Sequence, residues 1–373
     1  MILKTKEFND VASAILIAVN NDAASLELVV KDGSLRLNVT DREYYVSKIF
    51  PLEEPEELHA VIDAVDFLEY VGGLTVAEFS LAVKDNVLVV KAGKSSHKFP
   101  MIYENDALMI LYPIMIGNVT VQMPISSDIL QSILNVNSKE LAKAKNMDVN
   151  ELQKLYYIDE TGCFTFTTGA TLNSFELEKP IKLLLKDKVV KLFKLFKEDA
   201  TLFYGIDALS DGSIQAKVAF TTKDTYVAAV VNCDDVLISK IQGPCSATKG
   251  YIGEAYSNSL VLSATEFGAA IGRIINSIKR NVDSPTARFI PAAVTLSDTD
   301  MTITDELGNS ESVEIESGSR VDTSYTFNIN LSDLKLVLDS CKGEHITLNC
   351  GNGRSVVITR GKISNLIPEN RRA

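Results

Sequence analysis

Histidine is scarce in this chain of 373 residues: His59, His97 and His345 stand far apart. No CxxC, HExxH or glycine-rich phosphate loop accompanies them, so the familiar metal and nucleotide signatures are missing. The five cysteines (Cys163, Cys233, Cys245, Cys341, Cys350) are odd in number and widely spaced. That fits reduced thiols in a cytoplasm better than a disulfide framework. No run of eighteen apolar residues exists, so no membrane span is expected. The opening "MILKTKEFNDVASAILIAV" contains a short apolar stretch, but acids precede it and no cleavage site follows. Its apolar residues lie on one helical face, which reads as a helix and not as a signal peptide. These gaps leave a cytoplasmic, soluble protein with no catalytic, metal or cofactor motif in its sequence.

Positive charge is also in deficit. Lys and Arg number 37 against 49 Asp and Glu, a formal net charge of -12. The deficit is uneven. Residues 1–117 hold 10 bases and 18 acids, 118–250 hold 15 and 16, and 251–373 hold 12 and 15. All fifteen bases of the middle stretch are lysine. Such a chain resists non-specific adhesion to nucleic acid, yet a focused basic stripe can still meet phosphate. An apolar content of 46% with 23% charged residues is ordinary for a globular protein, and the length predicts two or three domains.

Against these absences stands a threefold pattern. The first third reads as a strand "ILKT", a helix from about Glu7 to Val19, and alternating strands joined by a "KDGS" turn. A helix "AVDFLEYVGG" follows, capped by Asp63 and ended by Gly72-Gly73, and then two strands. The middle and last thirds repeat strand, helix, several strands, helix, two strands. The fold class is therefore α+β, with divisions at 1–117, 118–250 and 251–373 and the paired helices on one side of antiparallel sheets. The polar, helix-prone "SKELAKAKNMDVNELQK" (138–154) is an insertion in the middle third, read as a solvated extension or a loop reaching toward a partner.

Two helices carry the functional argument. In "IKLLLKDKVVKLFKLFKED" (181–199), a helix over 186–197 would gather Val189, Leu192, Phe193 and Phe196 into a core stripe. Lys188, Lys191, Lys194 and Lys197 then fan across the opposite half. Few acids interleave with them at four-residue spacing, which favours a polyanion opposite over a plain solvated face. In Thr265–Arg280, the positions Phe267, Ile271, Ile274 and Ile278 read as core. Arg273, Asn276 and Arg280 form a second stripe suited to phosphate contact, with no base-reading set.

The segments "DFLEYVGGLTVAEFSLAVKDNVLVVKAGKSSHKF", "FNINLSDLKLVLDSCKGEHITLNC", "LRLNVTDREYYV", "FTFTTGATLNSF" and the end "ISNLIPENRRA" resemble the bacterial-type DNA polymerase sliding clamp, over essentially the full length. That resemblance implies three repeated clamp domains per chain and a head-to-tail homodimeric ring. Sheets lie outside and helices inside, around double-stranded DNA. It implies a non-catalytic processivity factor for DNA replication. DNA polymerase and clamp loader would dock through a short peptide motif, and no cofactor is called for.

Carried onto this chain, the DNA-binding set is Lys186, Lys188, Lys191, Lys194, Lys197, Arg273 and Arg280, with Lys139 and Lys143 weaker candidates. The peptide pocket is Ile158, Thr167, Gly169 and Leu172 with the tail residues Leu366, Ile367 and Pro368, a tail whose proline disfavours helix or strand. Ring closure would pair an edge strand of the first domain with one of the third. The acidic first third would face Arg273–Arg288, with Phe99 and Ile278 as apolar anchors.

The chain also departs from the family. "TTGATL" lacks the usual charged residues after its glycine, and the tail ends in "ENRRA". The first-third helices carry Asp10, Asp63, Asp66 and Glu69 where bases are the rule. A bacteriophage-encoded or otherwise divergent clamp would account for this. A repeat scaffold that binds only proteins, or an enzyme with an interdomain site, are the alternatives.

Overall fold

Apolar alternation makes strands and three-to-four spacing makes helices, and in this chain the two patterns abut. The computed structural model describes residues 1–19, 24–135, 155–166, 169–209, 212–231, 235–281 and 290–370. Strand Ile2–Lys4 runs directly into helix Thr5–Val19, and strand His59–Asp63 into helix Ala64–Gly72. Leu183–Lys186 leads into Asp187–Lys191, Asn258–Ser263 into Ala264–Asn281, and Thr326–Asn330 into Leu331–Ser340. Strand Val119–Ile125 precedes helix Ser127–Asn135 by one residue. The strand-to-helix step therefore occurs twice in each third, as the sequence pattern predicts. Four of the steps are closed by side-chain caps, with the Ser126 and Ser263 hydroxyls accepting the Ile129 and Glu266 amides at 3.3 and 3.4 Å. Asp63 accepts a hydrogen bond from the Asp66 amide at 3.0 Å, and Asn330 one from the Ser332 amide at 3.2 Å.

The chain forms two compact units. The first comprises residues 1–134 and 177–234, the second 135–176 and 235–373, so the middle third contributes to both. In the first unit an antiparallel sheet runs Val119–Ile125, Ala200–Ala208, Ile214–Thr221, Thr225–Val231, Tyr44–Pro51, Ser34–Thr40, Ser25–Lys31, His59–Asp63. A four-stranded sheet runs Ile2–Lys4, Glu78–Lys84, Val87–Ala92, Ser95–Pro100. Helix Thr5–Val19 packs between helix Ala64–Gly72 and the segment 187–195. Its Phe8 stacks on Phe50 at 5.0 Å and meets Phe67 and Phe79 edge-on.

In the second unit Leu155–Asp159, Gly162–Phe166, Ala170–Ser174, Ile363–Pro368, Ser355–Arg360, His345–Cys350 and Asn258–Ser263 are successive neighbours in one antiparallel sheet. A four-stranded sheet runs Ser310–Glu314, Asp300–Asp305, Pro291–Leu296, Thr326–Asn330. Between these sheets Phe267, Ile271, Ile274, Leu334, Val337 and Leu338 share one core with Ile329, Ile346 and Ile367.

Two expectations are corrected. The lysine segment is not a helix over 186–197. It is one short α-helix, Asp187–Lys191, followed by a 3₁₀ turn, Leu192–Leu195. Val190 and Leu195 are buried along with Val189, Leu192, Phe193 and Phe196. Those six spread over more than half of an α-helical wheel, and the tighter turn lets all of them point inward. The carbonyl of Phe193, which also takes the Phe196 amide at 3.1 Å, and that of Phe196 each accept a 2.9 Å hydrogen bond from the Gln131 side-chain amide. The tail also differs from expectation. Ile363–Pro368 is a strand, paired on one side with Ser355–Arg360 and on the other with Ala170–Ser174. Its proline sits at the strand's last position, where a missing N–H is tolerated.

We expect Gln131→Ala to leave the fold intact while accelerating amide exchange across 192–197, with a loss of about 1–2 kcal/mol from two hydrogen bonds. Hydrogen–deuterium exchange with urea titration checks this.

Candidate functional site

The lysines of 186–197 do not act as one free fan. Lys186 is exposed, and its Nζ lies 2.7 Å from Oε1 of Glu43. Lys188 is only 20% exposed and reaches Asp41, itself 3% exposed, and the other oxygen of Glu43 at 2.6 Å. Its ammonium also lies over the Tyr44 ring, 5.6 Å from the centroid. Burial alone would lower the pKa of Lys188, but the bonds to Asp41 and Glu43 overturn this and raise it. Glu43 is held below the usual carboxylate range, first by its bond to Lys186 and then by that to Lys188. Lys191 pairs with Asp187.

The acids that the segment itself lacks thus come from the Thr40–Tyr44 turn, nearly 150 positions away in the chain (|i−j| = 147 for Lys188 and Asp41). That turn is built to present them. The other oxygen of Asp41, Oδ1, accepts the Glu43 and Tyr44 amides at 2.9 Å, and Arg42 has a positive φ of 75°. Lys194 and Lys197 are exposed, and among the described residues no ion pair holds either one.

In the second unit, helix Ala264–Asn281 buries Phe267, Ile271 and Ile274 as expected, with Ile278 packed partly against the same core. Arg273 forms a two-point fork with Glu311 of strand Ser310–Glu314, Nε to Oε1 at 2.9 Å and Nη2 to Oε2 at 2.7 Å. The side chain of Arg280 lies outside the described residues, as do Lys139, Lys143 and Thr167. Phe99 is no free anchor. It is 3% exposed and packs edge-on to Phe67 at 5.4 Å and Tyr70 at 5.7 Å. Asp10, Asp63, Asp66 and Glu69 are exposed, so the helices of the first third do carry an acidic surface.

The pocket residues sort by pleat. Across the strands, Tyr157 stands opposite Phe164, Phe164 opposite Leu172, and Leu172 opposite Ser364. Phe166 stands opposite Ala170, and Ala170 opposite Leu366. Directly paired residues point to the same side and alternate residues share a face. Phe164, Phe166, Leu172, Leu366 and Pro368 therefore share one face. Leu172 is buried, Phe166 and Leu366 are half-buried and Pro368 is exposed, which makes a graded apolar wall. Phe164 and Phe166 meet edge-on at 5.1 Å. Ile158, opposite Cys163, and Ile367, part of the core of the second unit, belong to the other face.

Gly169 is required by its position: a Cβ there would lie 2.0 Å from the Leu366 carbonyl oxygen.

Sequence reasoning missed both Phe164 and Phe166 and the helix Asp235–Ile252, which packs against strands Leu155–Asp159, Ala170–Ser174 and Ile363–Pro368. Gly243 and Pro244 inside that helix hide its pattern. The signal available was Ile241, Cys245 and Thr248, spaced i, i+4, i+7 and all buried. Its Lys249 reaches Asp159 at 2.8 Å and Thr161 at 2.6 Å. Burial works against the charge on Asp159, and these bonds override it, holding the carboxyl below its usual range. Burial pushes the Cys245 thiol up to about 11, so it is an inert packing group.

No described helix is long and apolar enough to cross a membrane. Among the described residues no group of His, Cys, Asp and Glu is placed to hold a metal ion.

No protein-family model and no curated protein sequence matches the chain. Solved structures do. The Helicobacter pylori beta clamp bound to a DNA ligase peptide matches with a TM-score of 0.67 at 17% identity. The beta subunit of DNA polymerase III from Thermotoga maritima matches at 0.69 and 16%, and that from Borrelia burgdorferi at 0.71 and 14%. Each match covers 100% of this chain and 99% of the other. The chain has the sliding-clamp fold from end to end.

Lys188→Ala should destabilise the first unit by about 2 kcal/mol through a lost charged hydrogen bond. Lys194→Ala should stay within about 0.5 kcal/mol. A cycle with Asp41→Ala should be less than additive. Glu43 is held below its ordinary value, so its share of this stability is present at neutral pH and is lost as pH falls through the carboxylate range. Gly169→Ala should cost about 1–3 kcal/mol by overpacking and raise exchange in 363–368.

Proposed function

We propose that the protein is a DNA sliding clamp, a processivity factor that holds a replicative polymerase on duplex DNA without catalysing a reaction. The end-to-end match of fold to bacterial beta clamps carries this reading. Its domains would be 1–117, 118–250 and 251–373, and two chains would close head to tail into a ring in the cytoplasm. The edge strands suit such closure. Ser95–Pro100 exposes His97 and Lys98, while Ser310–Glu314 exposes Glu314, with Glu311 held by Arg273.

DNA contact falls to Lys194 and Lys197 first, with Lys186 and Arg273 already paired but exposed enough to exchange a carboxylate for phosphate, and Lys191 more enclosed beside Asp187. Flexible lysines contact phosphate without fixing register, which is what sliding needs. Lys188 serves as a joint. The apolar wall of Phe166, Leu172, Leu366 and Pro368 with helix Asp235–Ile252 would take a short peptide of the polymerase or the clamp loader. The H. pylori clamp takes a DNA ligase peptide, which provides a probe.

Purified protein should sediment as a dimer and stimulate a polymerase on primed circular DNA once loaded. The fluorescein-labelled ligase peptide should bind it. Lys194→Glu with Lys197→Glu should leave the dimer intact and shorten retention on closed circles at moderate salt, with a shallower salt dependence by about two charges. A monomer that neither binds the peptide nor stimulates synthesis would overturn the reading.

A further inference from the structure

The tail departs from the family's ending at Glu369, and the structure gives that residue a place. Immediately beyond the wall residue Pro368, the Glu369 side chain turns back and accepts a 2.7 Å hydrogen bond from the Tyr325 hydroxyl at Oε2. Its other oxygen, Oε1, is buried without a hydrogen-bond partner among the described residues, and the Gly351 N–H lies near the carboxyl. The main chain is tied at the same point: Glu369 N–H donates to the Arg354 carbonyl at 3.0 Å, and Asn370 N–H to the Asn328 carbonyl at 2.8 Å. Tyr325 stacks on Phe327 with centroids 6.0 Å apart and rests on the core of the second unit. Its hydroxyl also accepts the Gly353 amide at 3.1 Å. Three elements therefore meet around Glu369, by side chain or main chain: the tail strand, the turn that carries Gly353 and Arg354, and strand Thr326–Asn330 with its approach at Tyr325.

We propose that Glu369 is a positioning residue for the peptide groove: held by Tyr325 from behind the sheet, it fixes the end of strand Ile363–Pro368 so that Leu366 and Pro368 present a preformed apolar wall. This rests on the groove reading above. A wall ordered before the ligand arrives spares the ligand the ordering cost, so loosening it weakens binding without removing a contact.

The carboxyl is also titratable in an unusual sense. Burial raises the Glu369 pKa above its ordinary value, despite the Tyr325 bond acting the other way. The ionisable groups facing it are Tyr325, Cys350 and Tyr256, with Glu254 and Arg354 paired on the rim at 3.9 Å. Burial lifts the first three, Cys350 to about 12, so they stay neutral through the physiological range. A folded-state pKa above the unfolded value means that the buried carboxyl contributes most to stability at low pH and less as pH rises through the raised value, while the Tyr325 bond, which favours the carboxylate, offsets part of that loss.

The test uses the whole chain with Glu369→Gln, Glu369→Ala and Tyr325→Phe. Hydrogen exchange over 363–368, corrected for intrinsic rates, reads the tail without any ligand. Glu369→Ala should raise exchange there about five-fold and weaken the labelled ligase peptide by a similar factor. Tyr325→Phe should do so to a lesser degree. Glu369→Gln, which cannot ionise, should show a flatter pH dependence over 363–368 than wild type, whose protection should fall as pH rises. Unchanged exchange in Glu369→Ala, or identical pH profiles for wild type and Glu369→Gln, sinks the proposal. Wild-type protein that shows the predicted exchange yet binds no peptide keeps the anchor and discards the groove reading.

Discussion

Everything in this molecule depends on strands from distant stretches of chain closing each other's edges. An unpaired strand edge leaves a row of amides and carbonyls unsatisfied. Thr225–Val231 meets this need for Tyr44–Pro51, and Ile363–Pro368 meets it for Ala170–Ser174. The two joints are built alike but finished differently. Beside the first, Lys188 and the Asp41–Glu43 turn form a charged brace across segments that the sequence keeps far apart. Beside the second, a glycine with no room for a side chain lets two backbones close, and an apolar wall grades from buried Leu172 to exposed Pro368.

Much of the fold was legible because it is local. Strand-to-helix steps, the Asp63 cap and the Gly72-Gly73 stop follow from propensity and capping chemistry. The core stripe of helix Ala264–Asn281 follows from spacing alone. Helix Asp235–Ile252 was not legible, because Gly243 and Pro244 mask an otherwise clear i, i+4, i+7 stripe. The lysine segment misled for another reason. Counting acids within the segment cannot find partners supplied by a turn nearly 150 positions away, and a wheel cannot say that six apolar residues will all turn inward. That Leu172, Leu366 and Pro368 share one face and Ile158 and Ile367 the other was not legible, because that parity depends on the register between strands.

The charge pattern takes on a different meaning with these joints in view. Lysines that looked like a uniform binding surface divide into a structural one, Lys188, and exposed ones that remain available. The protein thereby keeps a net charge of -12 while offering cations at chosen points. Weak phosphate contact needs few such points, provided they are long, mobile and not held by a buried acid.

The position of strand Ile363–Pro368 has a temporal consequence. The hydrogen bond between Asn365 and Thr171 joins residues 194 positions apart. During synthesis the Ala170–Ser174 strand emerges early and must wait, one edge open, until nearly two hundred further residues have been made. Such long-range closure is slow, and the waiting edge is a template for the wrong partner. Here that edge is short, five residues, and carries Thr171 and Asn173 beside its apolar positions. A short, partly polar edge is a poor seed for aggregation, so the wait is survivable, and strand Ile363–Pro368 is the last part of the sheet to arrive.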